Sequence, residues 1–287
     1  MDASPAVTLL SRRFPAKRVF VTGAGSGLGR ALALEFARSG WRLGILDLAA
    51  GRLEEAAAEL QAAGASGVDR WVGDVASEPF VSGAIGEFCG RAGGIDVLVN
   101  NAGVAVAGAI DAVPPADWRW IVDINLLGVV WGCRAAVPVM RGQNGGLILN
   151  VASSAGFAAA PQMSPYNATK AAVVSLSETL AAELDTAGIQ VSCAMPGFFR
   201  THLLDEMRAP AEENAMAHQL MDHSGHDPTE AAQAILAAVA RGTLYVVWPR
   251  EYRLLWRLKR WFPMWFLGRV RGFRDVQIRR GARRPTG

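Results

Sequence analysis

Residues 22–30 read TGAGSGLGR, and four glycines within seven positions separate two different apolar patterns. The residues before them, KRVFVT (17–22), have the composition of a short buried strand, whereas residues 27–39 have the apolar spacing of a helix. Glycines between a strand and a helix allow a tight turn and let an anion approach the helix N-terminus closely. The stretch therefore predicts a strand–turn–helix unit that binds a phosphate group.

The glycines fit the spacing TGxxxGxG through Gly23, Gly27 and Gly29. A strict GxGxxG does not fit, because Leu28 occupies the place of its third glycine. Both patterns meet the same physical demand, a turn whose backbone can approach a pyrophosphate. We therefore expect Gly23, Ser26, Gly27, Leu28 and Gly29 to contact a dinucleotide. An ordinary glycine-rich turn is the alternative interpretation.

Six further apolar runs follow the first, and helical patterns lie between them. The runs are WRLGILD (41–47), DRWVGDV (69–75), IDVLVNNAG (95–103), GGLILNVASS (145–154), IQVSCAMPG (189–197) and TLYVVWP (243–249). Helical patterns cover 52–64, roughly 164–187 and about 228–241. Continuous apolar strands that alternate with helices are typical of a parallel sheet covered on both faces. The sequence thus predicts an α/β, doubly wound, Rossmann-like fold.

Composition agrees with one globular unit of this class. The chain has 287 residues, of which 51% are hydrophobic and 19% charged. We expect an N-terminal lead (1–15), a Rossmann-like α/β domain (16–249) and a C-terminal extension (250–287). No signal-peptide pattern and no run of 18 apolar residues are found, so neither export nor a membrane span is expected.

The three cysteines, Cys89, Cys133 and Cys193, lie far apart and form no CxxC pair. Their spacing indicates neither a disulfide framework nor a zinc site, and it favours a reducing, cytoplasmic location.

The net charge of +3 conceals an uneven distribution. Residues 250–287 carry 12 Lys/Arg against 2 Asp/Glu, which gives +10, and the other residues carry 17 against 24, which gives −7. The basic character therefore belongs to the extension, and a role in nucleic-acid binding does not follow for the whole protein.

Asp47 ends the second apolar run, 18 residues after Gly29. A carboxylate at this place can accept hydrogen bonds from both hydroxyls of an adenosine ribose, and it repels a 2′-phosphate. Leu48 follows Asp47 and Ser26 precedes Gly27, so neither neighbour is basic. The pattern favours NAD over NADP. An aspartate that only caps a helix or turn is the alternative.

Together with NNAG (100–103) and YNATK (166–170), the glycine stretch makes the chain resemble the short-chain dehydrogenase/reductase family over roughly residues 16–248. The resemblance implies a single Rossmann-like domain with a seven-stranded sheet. It also implies a nicotinamide-dependent oxidoreductase that acts on a secondary alcohol or a ketone. A homodimer or homotetramer built on the helices of Asn125 and Tyr166 is a further implication.

The resemblance places more residues around the cofactor. It implies that Asp74 hydrogen-bonds the adenine amino group and that Val75 packs against the adenine ring. It also implies contacts near the adenosine ribose from NNAG and contacts with the nicotinamide carboxamide from PGFFRT (196–201). The residues concerned are Asn101, Ala102, Gly103, Pro196, Gly197, Phe199 and Thr201.

The same resemblance implies a catalytic group of Asn125, Ser153, Tyr166 and Lys170. Ser153 stands 13 residues before Tyr166, and Ser154 is the adjacent alternative. A free tyrosine titrates near ~10, so a positive charge on Lys170, one helical turn away, is needed to favour tyrosinate. Tyr166 and Lys170 are also expected at the nicotinamide ribose. An exposed amphipathic helix is the alternative for this pair.

In this scheme Ser153 hydrogen-bonds the substrate oxygen, and Asn125 holds a water that links Lys170 to solvent. All four catalytic positions are occupied by the expected residue types.

Two rival functions stay open: an NADP-preferring carbonyl reductase, and a catalytically silent, membrane-associated binding protein of the same fold.

The segment between PGFFRT and residue 228 is expected to form a lid over the substrate. It contains Met207, Met216 and Met221, whose flexible side chains suit an adaptable apolar pocket. A bulky, hydrophobic alcohol or ketone is therefore the expected substrate. The same segment contains His202, His218, His223 and His226, but their spacing matches no metal-ligand geometry, so no metal is expected.

The extension contains an amphipathic pattern between residues 250 and 270. On a helical wheel one sector holds Leu254, Leu255, Leu258, Trp261 and Phe262, and basic residues flank it. Such a stripe either packs on the enzyme, a second subunit or the lid, or lies in the interface of a membrane. The sequence leaves these interpretations open.

Overall fold

The computed structural model describes residues 4–199, 202–222 and 224–271, without the side chains of residues 202, 220 and 222. The strands are β1 (Arg18–Thr22), β2 (Arg42–Asp47), β3 (Gly67–Val72), β4 (Val97–Asn100), β5 (Gly146–Val151), β6 (Ile189–Pro196) and β7 (Tyr245–Trp248). They form one sheet in the order β3-β2-β1-β4-β5-β6-β7. Every neighbouring pair is parallel. The predicted seven-stranded, doubly wound fold is thereby confirmed.

Helices connect the strands and cover both faces of the sheet. They are α1 (Pro5–Arg13), α2 (Gly27–Ala37), α3 (Ala50–Ala62), α4 (Glu78–Ala92), α5 (Pro115–Val122), α6 (Gly128–Gly142), α7 (Ala155–Ala158), α8 (Ser164–Leu184), α9 (Ala211–Asp222), α10 (Pro228–Val239) and α11 (Arg250–Trp261). A further helical stretch covers residues 263–271.

The strands are mostly apolar because both of their faces are buried. In β1, Val19 and Val21 belong to the core on one side of the sheet, and Phe20 belongs to the core on the other side. β3 is the exception, since it lies at the edge and is only partly buried. The sheet therefore has two cores, which is the reason that helices are needed on both faces.

The chain order reverses between β1 and β4, which lie side by side although β2 and β3 come between them in sequence. In open parallel sheets a crevice forms at such a switch point, outside the carboxyl ends of the strands. The turn after β1 and the NNAG segment after β4 meet at this edge.

One continuous helical stretch, Pro115–Gly142, joins α5 to α6 through a π-helical turn at Asp123–Leu127. By length and composition this is the one helix of the described residues that could cross a membrane. Its side chains Ile121, Val129 and Ala136 are fully or almost fully buried in the core beside the sheet. It therefore occupies the place of a core helix.

The N-terminal lead contains a helix that the sequence patterns did not indicate. In α1, Ala6, Val7 and Leu10 are buried in the core that α10 shares. The indole nitrogen of Trp41 donates to the hydroxyl of Ser11 at 2.9 Å. The lead is thus packed on the domain.

Candidate active site

The glycine stretch forms a cradle at the carboxyl end of β1. Gly23 and Gly27 have positive φ angles of 64° and 52°, which side chains rarely allow. A Cβ atom on Gly29 would lie 2.1 Å from the carbonyl oxygen of Gly23, so the first turn of α2 packs directly on the loop. Ser26 precedes α2 in an extended conformation, and Leu28 is buried beneath it.

The NNAG segment is hydrogen-bonded to this cradle. The side-chain amide of Asn101 donates to the carbonyl oxygens of Thr22 and Gly23, both at 3.0 Å. The hydroxyl of Thr22 accepts from the backbone N–H groups of Asn101 and Ala102 at 3.0 and 3.1 Å. The structure thus brings the segments after β1 and β4 together, although nearly 80 residues separate them in sequence.

Asp47 lies at the end of β2 beside the cradle. Its carboxylate accepts from the backbone N–H of Gly25 at 2.8 Å and from that of Ala49 at 3.0 Å. These two bonds hold the negative charge against the glycine loop. Leu48, the next residue, is exposed.

A basic residue that the sequence analysis did not consider lies next to Asp47. A Cβ atom on Gly25 would lie 2.9 Å from the Asp47 carboxylate and 3.2 Å from Cβ of Arg52. The guanidinium of Arg52 is paired with Glu206 at 3.0 Å. The sequence prediction considered only the neighbours of Asp47 and Gly27 in sequence, so Arg52 was not included in it. The place of Arg52 in the first turn of α3 was the available signal.

Asp74 and Val75 follow β3. The carboxylate of Asp74 accepts from the backbone N–H of Ala76 at 2.9 Å. Val75 is buried against the start of α6, where a Cβ atom on Gly128 would lie 3.1 Å from its side chain.

Tyr166 and Lys170 lie on the buried face of α8. Tyr166 is 7% exposed and Lys170 is 3% exposed. The ammonium nitrogen of Lys170 lies 5.8 Å from the centre of the Tyr166 ring and donates to the carbonyl oxygen of Val151 at 3.0 Å. The helix spacing therefore places both groups at the carboxyl end of β5.

The two serines after β5 differ in their surroundings. The hydroxyl of Ser153 accepts from the backbone N–H of Ala155 at 3.2 Å and donates to the carbonyl oxygen of Pro196 at 3.5 Å, and its interaction with Tyr166 lowers the pKa of the tyrosine. Ser154 is buried, and its backbone N–H donates to the carbonyl oxygen of Pro196 at 2.8 Å. The structure therefore joins Ser153, rather than its neighbour, to the tyrosine.

Burial changes the acidity of both groups on α8. It raises the pKa of Tyr166 above its ordinary value, and the hydrogen bond with Ser153 opposes that rise. Burial also lowers the pKa of Lys170 to about 8. Both shifts disfavour the charged forms, which cost free energy in a site of low polarity. In contrast to the lowering expected from Lys170, the chain's own groups keep Tyr166 protonated at neutral pH.

Asn125 lies in the π-helical turn between α5 and α6 and is fully buried. Its side chain accepts from the backbone N–H of Val104 at 2.8 Å and donates to the carbonyl oxygen of Val104 at 2.9 Å. A Cβ atom on Gly103 would lie 3.1 Å from the Asn125 amide oxygen and 3.3 Å from the Lys170 nitrogen. Gly103 thus lets Asn125 and Lys170 approach each other, and π-helical turns are common at functional sites.

The PGFFRT segment follows β6 at the same edge of the sheet. The backbone N–H of Gly197 donates to the carbonyl oxygen of Trp248 at 2.7 Å, and Phe199 is buried with its ring centre 5.9 Å from that of Trp248. Thr201 lies outside the described residues.

The lid closes over the segment that follows β4. Arg208 exchanges backbone hydrogen bonds with Ala105 and Ala107 at 3.1 and 3.0 Å, and its guanidinium is paired with Asp117 at 2.7 Å. Leu204, Met207 and Met221 are buried in the same apolar cluster as Tyr166. This segment therefore contributes apolar side chains to the core that contains Tyr166.

Histidines of the lid form no metal cluster in the part of the chain that the structure describes. His226 pairs with Glu230 at 3.2 Å, and its ring lies 4.9 Å from that of Trp248. His223 and the side chain of His202 lie outside the described part.

A buried polar network behind the site was missed by the sequence analysis. The amide of Asn100 donates to Asn150 at 2.9 Å, and the amide of Asn150 donates to the hydroxyl of Ser177 at 3.0 Å. These three residues link β4, β5 and α8. Two asparagines in otherwise apolar strands were the available signal, because a buried amide needs partners.

The residues present fit a nicotinamide dinucleotide. Gly29 carries no side chain, and none would fit there. The loop backbone at the N-terminus of α2 is therefore accessible to a bulky anion. Asp47 lies at one end of the crevice, and Tyr166 and Lys170 lie at the carboxyl end of β5, two strands away from β1. The segments Gly23–Gly29 and Asn101–Gly103 would hold such a group between them.

Comparisons with known proteins agree with this geometry. The family model for short chain dehydrogenases matches residues 17–212. A 2-(R)-hydroxypropyl-CoM dehydrogenase of Xanthobacter autotrophicus is 37% identical over 217 residues, which cover 70% of this chain and 87% of that protein. A 3-oxoacyl-(acyl-carrier-protein) reductase of Staphylococcus aureus is 32% identical over 232 residues, which cover 80% and 93%.

The crystal structure of a short chain dehydrogenase/reductase from Burkholderia phymatum in complex with NAD is similar at a TM-score of 0.81 and 30% identity. The match covers 94% of this chain and 96% of that one. Motifs, fold and relatives agree over most of the sequence, and this protein belongs to the short-chain dehydrogenase/reductase family of oxidoreductases.

Proposed function

We propose that the protein is an NAD-dependent oxidoreductase that interconverts a bulky, hydrophobic secondary alcohol and its ketone. The observation that carries this proposal is the group formed by the buried Tyr166 and Lys170 with the half-buried Ser153. It lies at the same edge of the sheet as the glycine cradle and Asp47. Because all four catalytic positions are occupied by the expected residue types, and Tyr166 and Lys170 lie on the same buried helix face, an active enzyme is favoured over a silent binding protein.

In the proposed reaction the Tyr166 hydroxyl exchanges a proton with the substrate oxygen. It donates the proton to a ketone during reduction and accepts the proton of an alcohol during oxidation. The Ser153 hydroxyl hydrogen-bonds the same oxygen and stabilises the charge that develops there. When bound, the nicotinamide ring supplies the hydride acceptor or donor. Lys170 is proposed to contact the nicotinamide ribose.

The apolar surroundings support a hydrophobic substrate. Met207 and Met221 from the lid are buried with Tyr166 in one cluster, and thioether side chains adapt to irregular shapes. The named relatives act on substrates that carry coenzyme M or acyl carrier protein, so the family model alone does not select a substrate. A screen of hydrophobic secondary alcohols and ketones, followed at the absorbance of reduced nicotinamide, tests the proposed class.

The choice of NAD is supported by the orientation of Asp47, whose carboxylate is held at the cradle by two backbone N–H groups. A 2′-phosphate placed there would meet this negative charge at close range.

One observation favours a second candidate, an NADP-dependent reductase. Arg52 lies beside Asp47 and would attract a phosphate if it were released from Glu206.

Cofactor choice is expected to change with these residues. The unmodified enzyme should have a higher kcat/KM with NAD than with NADP. Asp47→Asn with Leu48→Arg should reverse that preference by about a hundredfold or more, since one repulsion is removed and one charge-assisted bond is added. Glu206→Gln should shift the preference in the same direction by a smaller factor, because it frees Arg52. Steady-state kinetics with both cofactors measure the ratio.

Glu212→Gln, an exposed carboxylate of the same lid, is the matched control and should leave the ratio unchanged. A higher kcat/KM with NADP in the unmodified enzyme would favour the second candidate.

We also propose that the enzyme self-associates through α8. Its outer face presents the small residues Ala168, Ala171 and Ser175, which allow a second helix to approach closely. We expect light scattering to give a mass of two or four chains, and Ala171→Arg to lower that mass. A monomer at micromolar concentration would contradict this proposal.

A further inference from the structure

The C-terminal helix α11 packs on the domain through one side only. Tyr252 covers Gly197, where a Cβ atom would lie 2.6 Å from its ring, and the Trp256 ring centre lies 5.1 Å from that of Tyr245. The side chain of Arg253 donates to the carbonyl oxygen of Val247 at 3.0 Å. This side is therefore aromatic and polar, and it fixes the helix to β7 and to the segment after β6.

The opposite side of α11 is apolar and exposed. Leu254 is 62% exposed and Trp261 is 78% exposed, and Leu255 and Phe262 are exposed as well. Four of the five residues in the apolar sector seen in the sequence are therefore exposed in the described structure, and the fifth, Leu258, is half-buried. Packing on the same chain, one of the interpretations left open above, is wrong for the four exposed residues.

The helical stretch 263–271 extends this surface. Met264 is 73% exposed and Trp265 is 50% exposed, whereas Phe266 is buried and anchors the stretch beside Lys259. We call the exposed set the tail patch: Leu254, Leu255, Trp261, Phe262, Met264 and Trp265. Six large apolar side chains are exposed within residues 254–265. A group of this kind indicates an interaction surface, whereas an ordinary solvated helix exposes such side chains singly.

Basic side chains surround the tail patch. Residues 250–271 contain seven Lys/Arg and one acidic residue, Glu251. Arg250 and Arg257 are exposed, and the guanidinium of Arg269 lies 5.3 Å from the ring centre of Trp265. An apolar stripe with tryptophans and flanking positive charges is complementary to lipid head groups and the acyl chains beneath them.

We propose that the tail patch binds the surface of an anionic lipid membrane, with α11 lying in the interface plane. A second copy of the chain fits less well, because a two-fold contact through this patch would bring together two surfaces that are both flanked by basic residues, with Glu251 as the one acidic residue of 250–271 on each. An anionic bilayer instead neutralises these charges while the apolar side chains leave water.

Attachment through α11 would also place the active site near the membrane. The helix lies against α7 and Gly197, which follow Ser153 and β6 at the edge of the sheet that carries the site. A hydrophobic substrate could then enter from the lipid phase. This consequence rests on the proposed function, whereas membrane binding itself does not.

Vesicle sedimentation of the full chain tests the proposal. The protein should sediment with vesicles of equal parts phosphatidylglycerol and phosphatidylcholine, and it should stay in solution with phosphatidylcholine alone. Raising salt from ~0.1 M to ~1 M shortens the screening length from ~10 to ~3 Å, so it should release most of the protein. Cofactor and substrate are absent, so the result is independent of turnover.

Two sets of variants separate the apolar and charged contributions. Arg250→Glu with Arg257→Glu should weaken the partition at least about 25-fold, since each basic residue near an anionic surface contributes about fivefold. Leu254→Ser, Trp261→Ser and Trp265→Ser together should abolish binding, because the apolar contact is lost. Both proteins should keep the melting temperature of the parent, since the substituted side chains are mainly exposed.

The helix α1 offers a matched control, because Leu9 and Arg12 are exposed on it and it lies just before the opposite end of the parallel strands. Leu9→Ser with Arg12→Glu should leave vesicle binding unchanged. The proposal is overturned if the parent does not sediment, or if the tail-patch variants bind as well as the parent. It is also overturned if these variants only lower the mass of the assembly in lipid-free solution, which would identify a second copy as the occupant.

Discussion

Tyr166→Phe is expected to lower kcat by about a thousandfold with dinucleotide affinity nearly unchanged, because the ring stays and only the proton-exchanging oxygen is lost. Burial raises the pKa of Tyr166, so the protonated form dominates at neutral pH. Ketone reduction needs that form, whereas alcohol oxidation needs the deprotonated form. In the parent enzyme, oxidation should therefore accelerate as pH rises, and reduction should proceed at neutral pH.

Measurements of kcat in both directions between pH 6 and pH 10, roughly the span below the ordinary tyrosine pKa, check this expectation. Titration of the dinucleotide followed by protein fluorescence gives the affinity. The chain has two other tyrosines, and Tyr245→Phe is the matched control, since its hydroxyl bonds Glu178 outside the site. Near-parental turnover of Tyr166→Phe would show that the assigned acid/base is wrong.

Lys170→Met is expected to abolish turnover and, at the same time, to stabilise the fold. The ammonium group is buried, and its pKa is lowered from 10.5 to about 8, which corresponds to a cost of roughly 3 kcal/mol for the charged form at neutral pH. The lost hydrogen bond to Val151 offsets about 1 kcal/mol of this. We therefore expect a gain of about 2 kcal/mol in the free energy of unfolding at pH 7.

The gain should depend on pH in a defined direction. Below about pH 8 Lys170 is charged in both the folded and the unfolded chain, so the parent carries the whole cost. Between about 8 and 10.5 the folded lysine is neutral and the unfolded one is charged, so the stability of the parent rises with pH. The advantage of the methionine variant should then shrink across this window.

Thermal unfolding without cofactor, compared across this pH range, measures the difference. A gain of about 2 kcal/mol corresponds to roughly 5 °C for a domain of this size. Lys17→Met, at a partly exposed lysine outside the site, is the control and should not reproduce the effect. A less stable Lys170→Met protein at pH 7 would contradict the inference that burial of the Lys170 charge lowers the free energy of unfolding of the parent.

Much of the fold and many of the candidate site residues could be predicted because the signals are local. A buried parallel strand is mostly apolar, and a helix that packs on a core repeats its apolar residues every three to four positions, so all seven strands were visible in the sequence. The loop at residues 23–29 needs glycine because of its backbone angles and its close packing. The spacing of Tyr166 and Lys170 places both on one helix face.

Other properties depend on contacts between residues that are distant in sequence, and only the tertiary structure decided them. Arg52 reaches the Asp47 site because α3 folds back along β2, and its charge is held by Glu206, 154 residues later. Burial by other segments, rather than the helix itself, sets the pKa directions of Tyr166 and Lys170.

The C-terminal helix illustrates the same division. The sequence by itself determined that α11 has an apolar stripe between basic residues, because amphipathicity is a property of spacing alone. Which side meets the domain was decided by the positions of Gly197 and Tyr245, whose surfaces accept the rings of Tyr252 and Trp256. Because the side of α11 that carries Tyr252 and Trp256 packs on the domain, the opposite, apolar side faces outward.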